Sequence, residues 1–252
     1  MIYDFKFGEK WLSEDGLAVV ASVPDREIAQ RDFSLVEIPG HDGSDCVDNG
    51  CYKNVVFSRE IGLVAKNGAR ASEKAEQLIR RFAYLYGYRD FEENSREGFV
   101  TKAVLTNFPS VISSLRTLRR ATLEFSRLPY WYLKTGLELT VFSGSVTLIN
   151  PLPTNAKPRF VFKLNPSGGT VRATLTVNGV AVLSNKLINC DSTHDILEID
   201  SEREQAFVRS AGGEILRFID MSFPVLPTGE STIAASGANI TETGVAPRWR
   251  EL

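Results

Sequence analysis

Apolar positions in this chain change their period once. From Ser72 to Tyr86, the residues Ala75, Leu78, Ile79, Phe82 and Leu85 recur at the i, i+3, i+4, i+7 spacing that gathers them on one helical face. The spacing predicts one amphipathic helix over 72–86. Ser72 would be its N-cap and Gly87 the residue just past its end. Glu73 and Glu76 would occupy the first turn, where the helix dipole favours anions. Elsewhere in the first 130 residues the pattern is that of strands: 34–38, 52–61, 98–108 and 115–126 alternate or are rich in β-branched and aromatic residues. Asp42-Gly43, Asn49-Gly50 and Asn67-Gly68 are turn dipeptides, because both residue types reach positive φ at little cost.

From about residue 136 no helical period is evident. Short alternating runs predict strands at 136–142, 146–150, 158–164, 170–178, 195–200, 205–209, 215–219, 231–235, 239–241 and 245–250. Turn signals separate them at Pro166-Ser167-Gly168-Gly169, Asn178-Gly179 and Gly212-Gly213. Many short strands with regular turns predict an antiparallel sandwich or barrel. The change of texture near Tyr132–Gly136 divides the chain into a domain 1–134, mostly β with the helix, and a domain 135–252.

Composition narrows the class. Net charge is −2, which argues against a protein whose main task is gripping phosphate backbones. Cysteines number three (Cys46, Cys51, Cys190), an odd count at irregular spacing that is no disulfide framework and fits a reducing compartment. Met1–Lys6 lacks the apolar stretch of a signal peptide, and no apolar run approaches a membrane span, so no membrane insertion is expected.

Candidate chemistry is sparse. There are two histidines, His41 and His194, and no G-x-S-x-G elbow, Walker A or G-x-G-x-x-G motif. His41, Asp42, Asp45, Cys46, Asp48 and Cys51 mix ligand types at spacings that suit neither zinc nor an EF-hand, and read as a polar loop between strands. Glu92 and Glu93 would point to opposite faces of a strand, so they are no glycosidase pair and read as a solvated turn. Arg116, Arg119 and Arg120 read as solvated or as paired with carboxylates of a neighbouring chain. Phe125, Tyr130, Trp131 and Tyr132 read as buried at the domain boundary, and Trp249 as packed on its own sandwich. No catalytic residue, cofactor site or metal site is assigned, and an enzyme is not expected.

Several segments, in order, resemble the motifs of one known family. Ile38-Pro39-Gly40-His41-Asp42-Gly43 is similar to its "VPGRDG" loop, with His41 where Arg or Lys is usual. Ala121 to Tyr130 resembles a strand ending in "C-x-P-Y", with Ser126 or Arg127 in place of the cysteine. Asn150 to Pro158 resembles the approach to the second domain, without its Gly-Thr. Thr176-Val177-Asn178-Gly179 resembles an "I-N-G" hairpin. Ile199-Asp200-Ser201-Glu202, Phe223 to Gly229 and Pro247-Arg248-Trp249-Arg250 resemble "IDSE … FPxLxPG … PRWR". In this order the segments together resemble the distal tail (Dit) family of siphophages.

The resemblance implies a mainly β chain: an N-terminal α+β ring-forming domain with one packed helix, then a C-terminal galectin-like, carbohydrate-module-like antiparallel β-sandwich. It implies a structural virion protein of a phage or prophage, placed at the tail tip and present in the host bacterial cytoplasm during assembly. Its partners would be itself, in a ring that is hexameric in the family, the tail tube protein, and the tail-associated or baseplate hub protein. DNA would be passing cargo only. A ring needs a heterologous interface that closes on itself. The expected interface residues are Ile38, Pro39, Gly40, Asp42 and Gly43, with Tyr52, Val55, Phe57 and Arg59 on the following strand, which over 52–60 is either an edge offered to a neighbour or an ordinary internal strand. The alternative is a carbohydrate-binding, adhesin-like module contacting host-surface sugar weakly. An exposed cluster of Phe207, Phe218 and Trp249 beside Asn or Asp would favour it.

Overall fold

The computed structural model describes residues 3–15, 18–19, 27–64, 68–107, 111–115 and 118–252. The chain is mostly β and divides into two compact units, Met1–Trp131 with Leu252, and Tyr132–Glu251. Among the described residues no helix is long and apolar enough to cross a membrane.

In the first unit an antiparallel sheet runs in the order Lys10–Trp11, Phe5–Phe7, Arg89–Glu93, Phe99–Leu105, Leu118–Arg127, Val55–Val64, Ala18–Val19. Val111–Leu115 pairs with the start of Leu118–Arg127. Inward residues of alternate strand positions meet in an aromatic core. Phe5 stacks on Phe91 at 5.5 Å, Phe57 on Phe125 at 5.3 Å, and Phe7 on Phe82 of the helix at 6.0 Å. Such rings supply large apolar area and favour offset or edge-on geometry.

The helix spans Gly68–Ala83, about a turn earlier at each end than the predicted 72–86. Ala69 and Ala71, strong helix formers, extend it backwards, so Ser72 is interior rather than an N-cap and Glu73 and Glu76 are not in the first turn. Its last turn is closed by Leu85 N–H donating to the Phe82 carbonyl at 3.3 Å. Gly87, at φ +71°, carries the chain away. Leu78 and Phe82 are buried, which is why this face and not another turns to the sheet.

Two predicted strands change form. The 52–61 run breaks at Lys53-Asn54: Tyr52 ends one strand and Val55 begins the next. Of the 115–126 run, Leu115 ends the strand Val111–Leu115 and the residues from Leu118 belong to Leu118–Arg127; Arg116 lies outside the described residues, as does Asn67 of a predicted turn.

The second unit packs two antiparallel sheets. Six strands run in the order Thr140–Phe142, Ile240–Ala246, Arg159–Leu164, Ile196–Asp200, Gln205–Arg209, Ile215–Phe218. Four run in the order Gly144–Asn150, Gly229–Ser236, Val171–Val177, Val180–Ile188. Phe160, Phe162, Leu197, Ile199 and Val208 of the larger sheet share one core with Leu175, Val177, Leu183 and Ile233 of the smaller. The 136–142 prediction is corrected in part, because Lys134–Leu137 is one helical turn that precedes the strand. Gly136 belongs there because a Cβ would sit 2.7 Å from the Trp249 main-chain nitrogen.

Candidate assembly interface

Arg31–Glu37 and Ser44–Tyr52 form a two-stranded antiparallel sheet of their own. At its root Asp32 and Tyr52 are half-buried, Arg31 lies over the Tyr52 ring at 4.9 Å, and Tyr52 meets Tyr130 edge-on at 5.9 Å. Beyond the root every residue is exposed. The exposed set is apolar on both faces: Phe33 and Leu35 with Cys46 on one, Val36 and Val47 on the other. Leu35 is 64% exposed and Phe33 50%. An isolated two-stranded hairpin is marginally stable in water, and apolar side chains on both of its faces lack the core that would cover them.

Local sequence explains the hairpin. Arg31 donates to both carboxylate oxygens of Asp48 at 2.9 and 2.6 Å, and this pairing holds the Asp48 carboxyl below its ordinary range. At the tip His41 N–H donates to the Ile38 carbonyl at 3.1 Å, with Pro39 and then Gly40 at φ +83° between them. Proline followed by a positive-φ glycine is the signature of a type II turn. The stretch read from sequence as a polar loop is therefore mostly strand. The loop proper is 38–43, and Asp45, Cys46, Asp48 and Cys51 lie on Ser44–Tyr52. Alternation on a strand sends neighbouring candidate ligands to opposite faces. Among the described residues no group of three or more His, Cys, Asp or Glu is placed to hold a metal.

The structure separates the expected interface residues into two sets. Ile38, Pro39, Gly40, Asp42 and Gly43 sit together, exposed, at the hairpin tip. Tyr52 belongs to the hairpin root. Val55, Phe57 and Arg59 point inward, at 7%, 5% and 5% exposure, and their side chains belong to the unit's own core. The period of two explains it: the outward residue of that strand is Val56, at 70%. Val55–Val64 pairs along its length with Leu118–Arg127 on one side, and on the other at Ile61 and Gly62 with Ala18–Val19.

Arg59 instead anchors a buried polar group. Its guanidinium donates to Glu93 at 2.7 Å and to the Tyr3 hydroxyl at 2.8 Å, while the Tyr3 hydroxyl donates to Glu93. Burial, then the Glu93 charge, pushes the Tyr3 phenol far up, so it stays a donor. This corrects the reading of Glu92 and Glu93 as a solvated turn: both are buried on Arg89–Glu93, and Glu92 pairs with Lys6 at 3.3 Å. Arg127 donates to the carbonyls of Leu128 and Pro129 at 3.0 and 2.9 Å, and lies 5.4 Å from the Trp131 ring centre. Burial, aided by the Arg96 cation, brings its guanidinium down to about 10. Arg120 pairs with Glu60 of the same chain at 3.1 Å, and the Arg119 side chain lies outside the described residues.

The tail motifs meet in the second unit. Arg248 grips both oxygens of Asp200 at 2.6 and 3.0 Å. Arg250 donates to Glu202 at 3.3 Å, and the Tyr132 hydroxyl donates to Glu202. Trp249, between the two arginines, and Leu226 of the 223–229 segment are core residues. Burial works against the Asp200 charge, but Arg248 outweighs it and the carboxyl sits below its ordinary range. These segments are therefore a clasp that fastens the C-terminus to the sandwich.

Of the aromatic residues that would favour sugar binding, Trp249 is buried and Phe218 is 61% exposed. Phe218 packs edge-on against Phe207 at 6.0 Å, on the outermost strand of the larger sheet. Arg209 of the neighbouring strand donates to Glu198 at 2.7 Å, and Arg159 donates to the same carboxylate at 2.6 Å.

No family model matches the sequence, and no curated protein matches it. Solved structures do. The chain shares its fold with the SPP1 Dit (gp 19.1) protein, described as a paradigm of the hub adsorption apparatus in phages infecting Gram-positive bacteria. The likeness covers 100% of both chains at a TM-score of 0.69 and 12% identity. A chain of the phage p2 baseplate in its activated, strontium-bound conformation matches over 100% of this chain and 99% of its own. Its TM-score is 0.50 at 7% identity.

Proposed function

We propose that this chain is a distal tail protein: a non-enzymatic virion subunit at the phage tail tip. Copies close into a ring, six-membered as in the resembling family, between the tail tube protein and the tail-associated or baseplate hub protein. The ring leaves a channel through which DNA passes. The domain 1–134 makes the ring, and the galectin-like sandwich 135–252 faces outward. End-to-end likeness to SPP1 Dit supports the fold side of this reading. The observation that carries self-association is the hairpin Arg31–Tyr52, whose apolar residues on both faces need a partner to cover them.

Size-exclusion chromatography with light scattering, followed by particle imaging, tests it. Full-length protein is expected to form rings of uniform size with a central hole at high concentration. Leu35→Asp combined with Val47→Asp is expected to leave a folded monomer. Protein that stays monomeric at about millimolar concentration, where even interactions worth only −4 kcal/mol are half-formed, counts against the reading.

A second reading is favoured by the Phe207–Phe218 pair beside the Arg159–Glu198–Arg209 group, since an exposed ring face with fixed polar neighbours is what sugar stacking uses. In it, the sandwich also holds host-surface carbohydrate weakly. Calorimetric titration with cell-wall polysaccharide should then show binding that Phe218→Ala removes; equal binding by the variant would sink it.

A further inference from the structure

We propose that the cleft at the C-terminal end of the helix receives the hairpin tip of a second copy of this chain. The inference rests on the ring reading and gives that ring its contact.

The cleft, of about 830 Å³, lies in the first unit. Phe7 and Leu85 line it with apolar surface, and Lys10, Arg80, Arg81 and Arg89 line it with cations. Glu9 and Glu14 also reach it, so four cations face two carboxylates. Arg81 is fixed in place: it donates to the main-chain carbonyls of Lys10 at 2.6 Å and Trp11 at 3.3 Å, and stands 5.3 Å from the Phe82 ring centre. Arg80, Arg89 and Lys10 are exposed, and Arg80 pairs with a solvent-facing Glu76 at 3.4 Å. The segment that brings Leu85 and Arg89 to the cleft leaves Tyr84 and Tyr86 at 74% and 75% exposure. Tyrosine and arginine are the residue types that protein interfaces concentrate.

The hairpin tip is the complement of this surface. The span 37–45 carries Glu37, Asp42 and Asp45 and contains no Lys or Arg. Ile38 and Pro39 project among those carboxylates, with Ile38 at 44% exposure. A narrow apolar tip ringed by acids fits a cleft with an apolar floor and a basic wall, and opposite potentials steer such a docking and fix its register. Tip and cleft are different surfaces, so their contact is heterologous and each copy offers one of each. A closed ring requires such a contact, together with a rotation between copies that closes.

The test is a charge exchange in the full-length protein, read by sedimentation velocity. Arg80→Glu with Arg89→Glu reverses the cleft; Asp42→Lys with Asp45→Lys reverses the tip. All four positions are exposed, and circular dichroism melts check that each variant folds. Each reversal is expected to weaken association at least about tenfold, and the four changes together to restore most of it. Raising salt from about 0.1 M to 1 M, which shortens the Debye length from about 10 Å to about 3 Å, should weaken the wild type in the same direction. If wild-type protein assembles and either reversal leaves its affinity within about threefold, the docking is overturned and the ring reading stands. If wild-type protein does not assemble at any concentration, the ring reading fails and takes the docking with it.

Discussion

The hairpin Arg31–Tyr52 and the sandwich strands are written in the same alternating code, yet they meet opposite fates. In the sandwich, Phe160 and Phe162 of Arg159–Leu164 are fully buried while Arg159, Val161 and Lys163 face outward. In the hairpin, Phe33 and Leu35 alternate just as regularly and remain half or more exposed. Alternation specifies a pleated strand with two different faces; whether a face is covered depends on what packs against it. A domain that folds alone places its apolar strand faces on a core. A strand pair that displays them is the surface that the proposed ring would use for contact between copies.

Truncation gives the largest contrast. Phe160→Ala should cost about 3–5 kcal/mol, because it removes a fully buried ring and leaves a cavity. Leu35→Ala should change the melting temperature of the monomer hardly at all, within about 0.5 kcal/mol, because that side chain has no core to leave. Denaturant melts of both variants decide it: a hairpin variant as unstable as the core variant would mean that the hairpin is packed against its own chain.

The ion pairs repeat the contrast at a smaller scale. Arg248 and Asp200 are 17% and 6% exposed at their side chains, whereas Arg31 and Asp48 are 41% and 55% exposed. Asp200→Asn should cost about 2–3 kcal/mol, since it removes the charge that Arg248 grips through two bonds and leaves the mostly buried guanidinium with Glu202 at 3.5 Å. Arg31→Ala should leave the melting temperature unchanged, because exposed pairs contribute little. The pH dependence follows from the sign. The folded Asp200 carboxyl sits below its ordinary value near 3.9, so its stabilisation is complete above about pH 5. It is lost as pH falls through the unfolded value towards the folded one. Melts between pH 7 and pH 3 should show wild-type stability falling more steeply than that of Asp200→Asn; parallel curves would count against the clasp.

What the sequence made legible follows from how local each signal is. The Asn178-Gly179 turn is readable because both residues take positive φ, at +51° and +78°, whatever surrounds them. The strand after it, Val180–Ile188, carries no clean period: its pairing slips between Ala173 and Thr176 of its partner, and Asn185 sits at φ +46°. The tip residues Ile38 to Gly43 were readable as a loop because Pro39-Gly40 is local turn chemistry. The inward direction of Val55, Phe57 and Arg59 was not, because parity along a strand is fixed only by the core it meets. The cleft is not legible in the sequence for the same reason. Lys10, Arg80 and Arg89 come from three elements, and only the packing of helix on sheet brings them together. The Asp200–Arg248 clasp joins positions 48 residues apart, and the short motifs that contain them marked a resemblance without saying what the side chains touch.

The smallest expected effect tests how completely the sandwich satisfies itself. Ser201, between Asp200 and Glu202, is 1% exposed, and its hydroxyl finds no hydrogen-bond partner among the described residues. Its main-chain N–H does, donating to the Pro158 carbonyl at 3.1 Å. A buried hydroxyl without a partner is a cost, so Ser201→Ala should leave the protein as stable or up to about 1 kcal/mol more so, with the Asp200–Arg248 pair intact. The same change on the exposed hairpin, Ser44→Ala, should do nothing measurable, since water satisfies that hydroxyl in folded and unfolded chains alike. A loss of 1 kcal/mol or more in Ser201→Ala would show that the hydroxyl serves the clasp after all, and that the sandwich tolerates less internal misfit than the hairpin tolerates exposure.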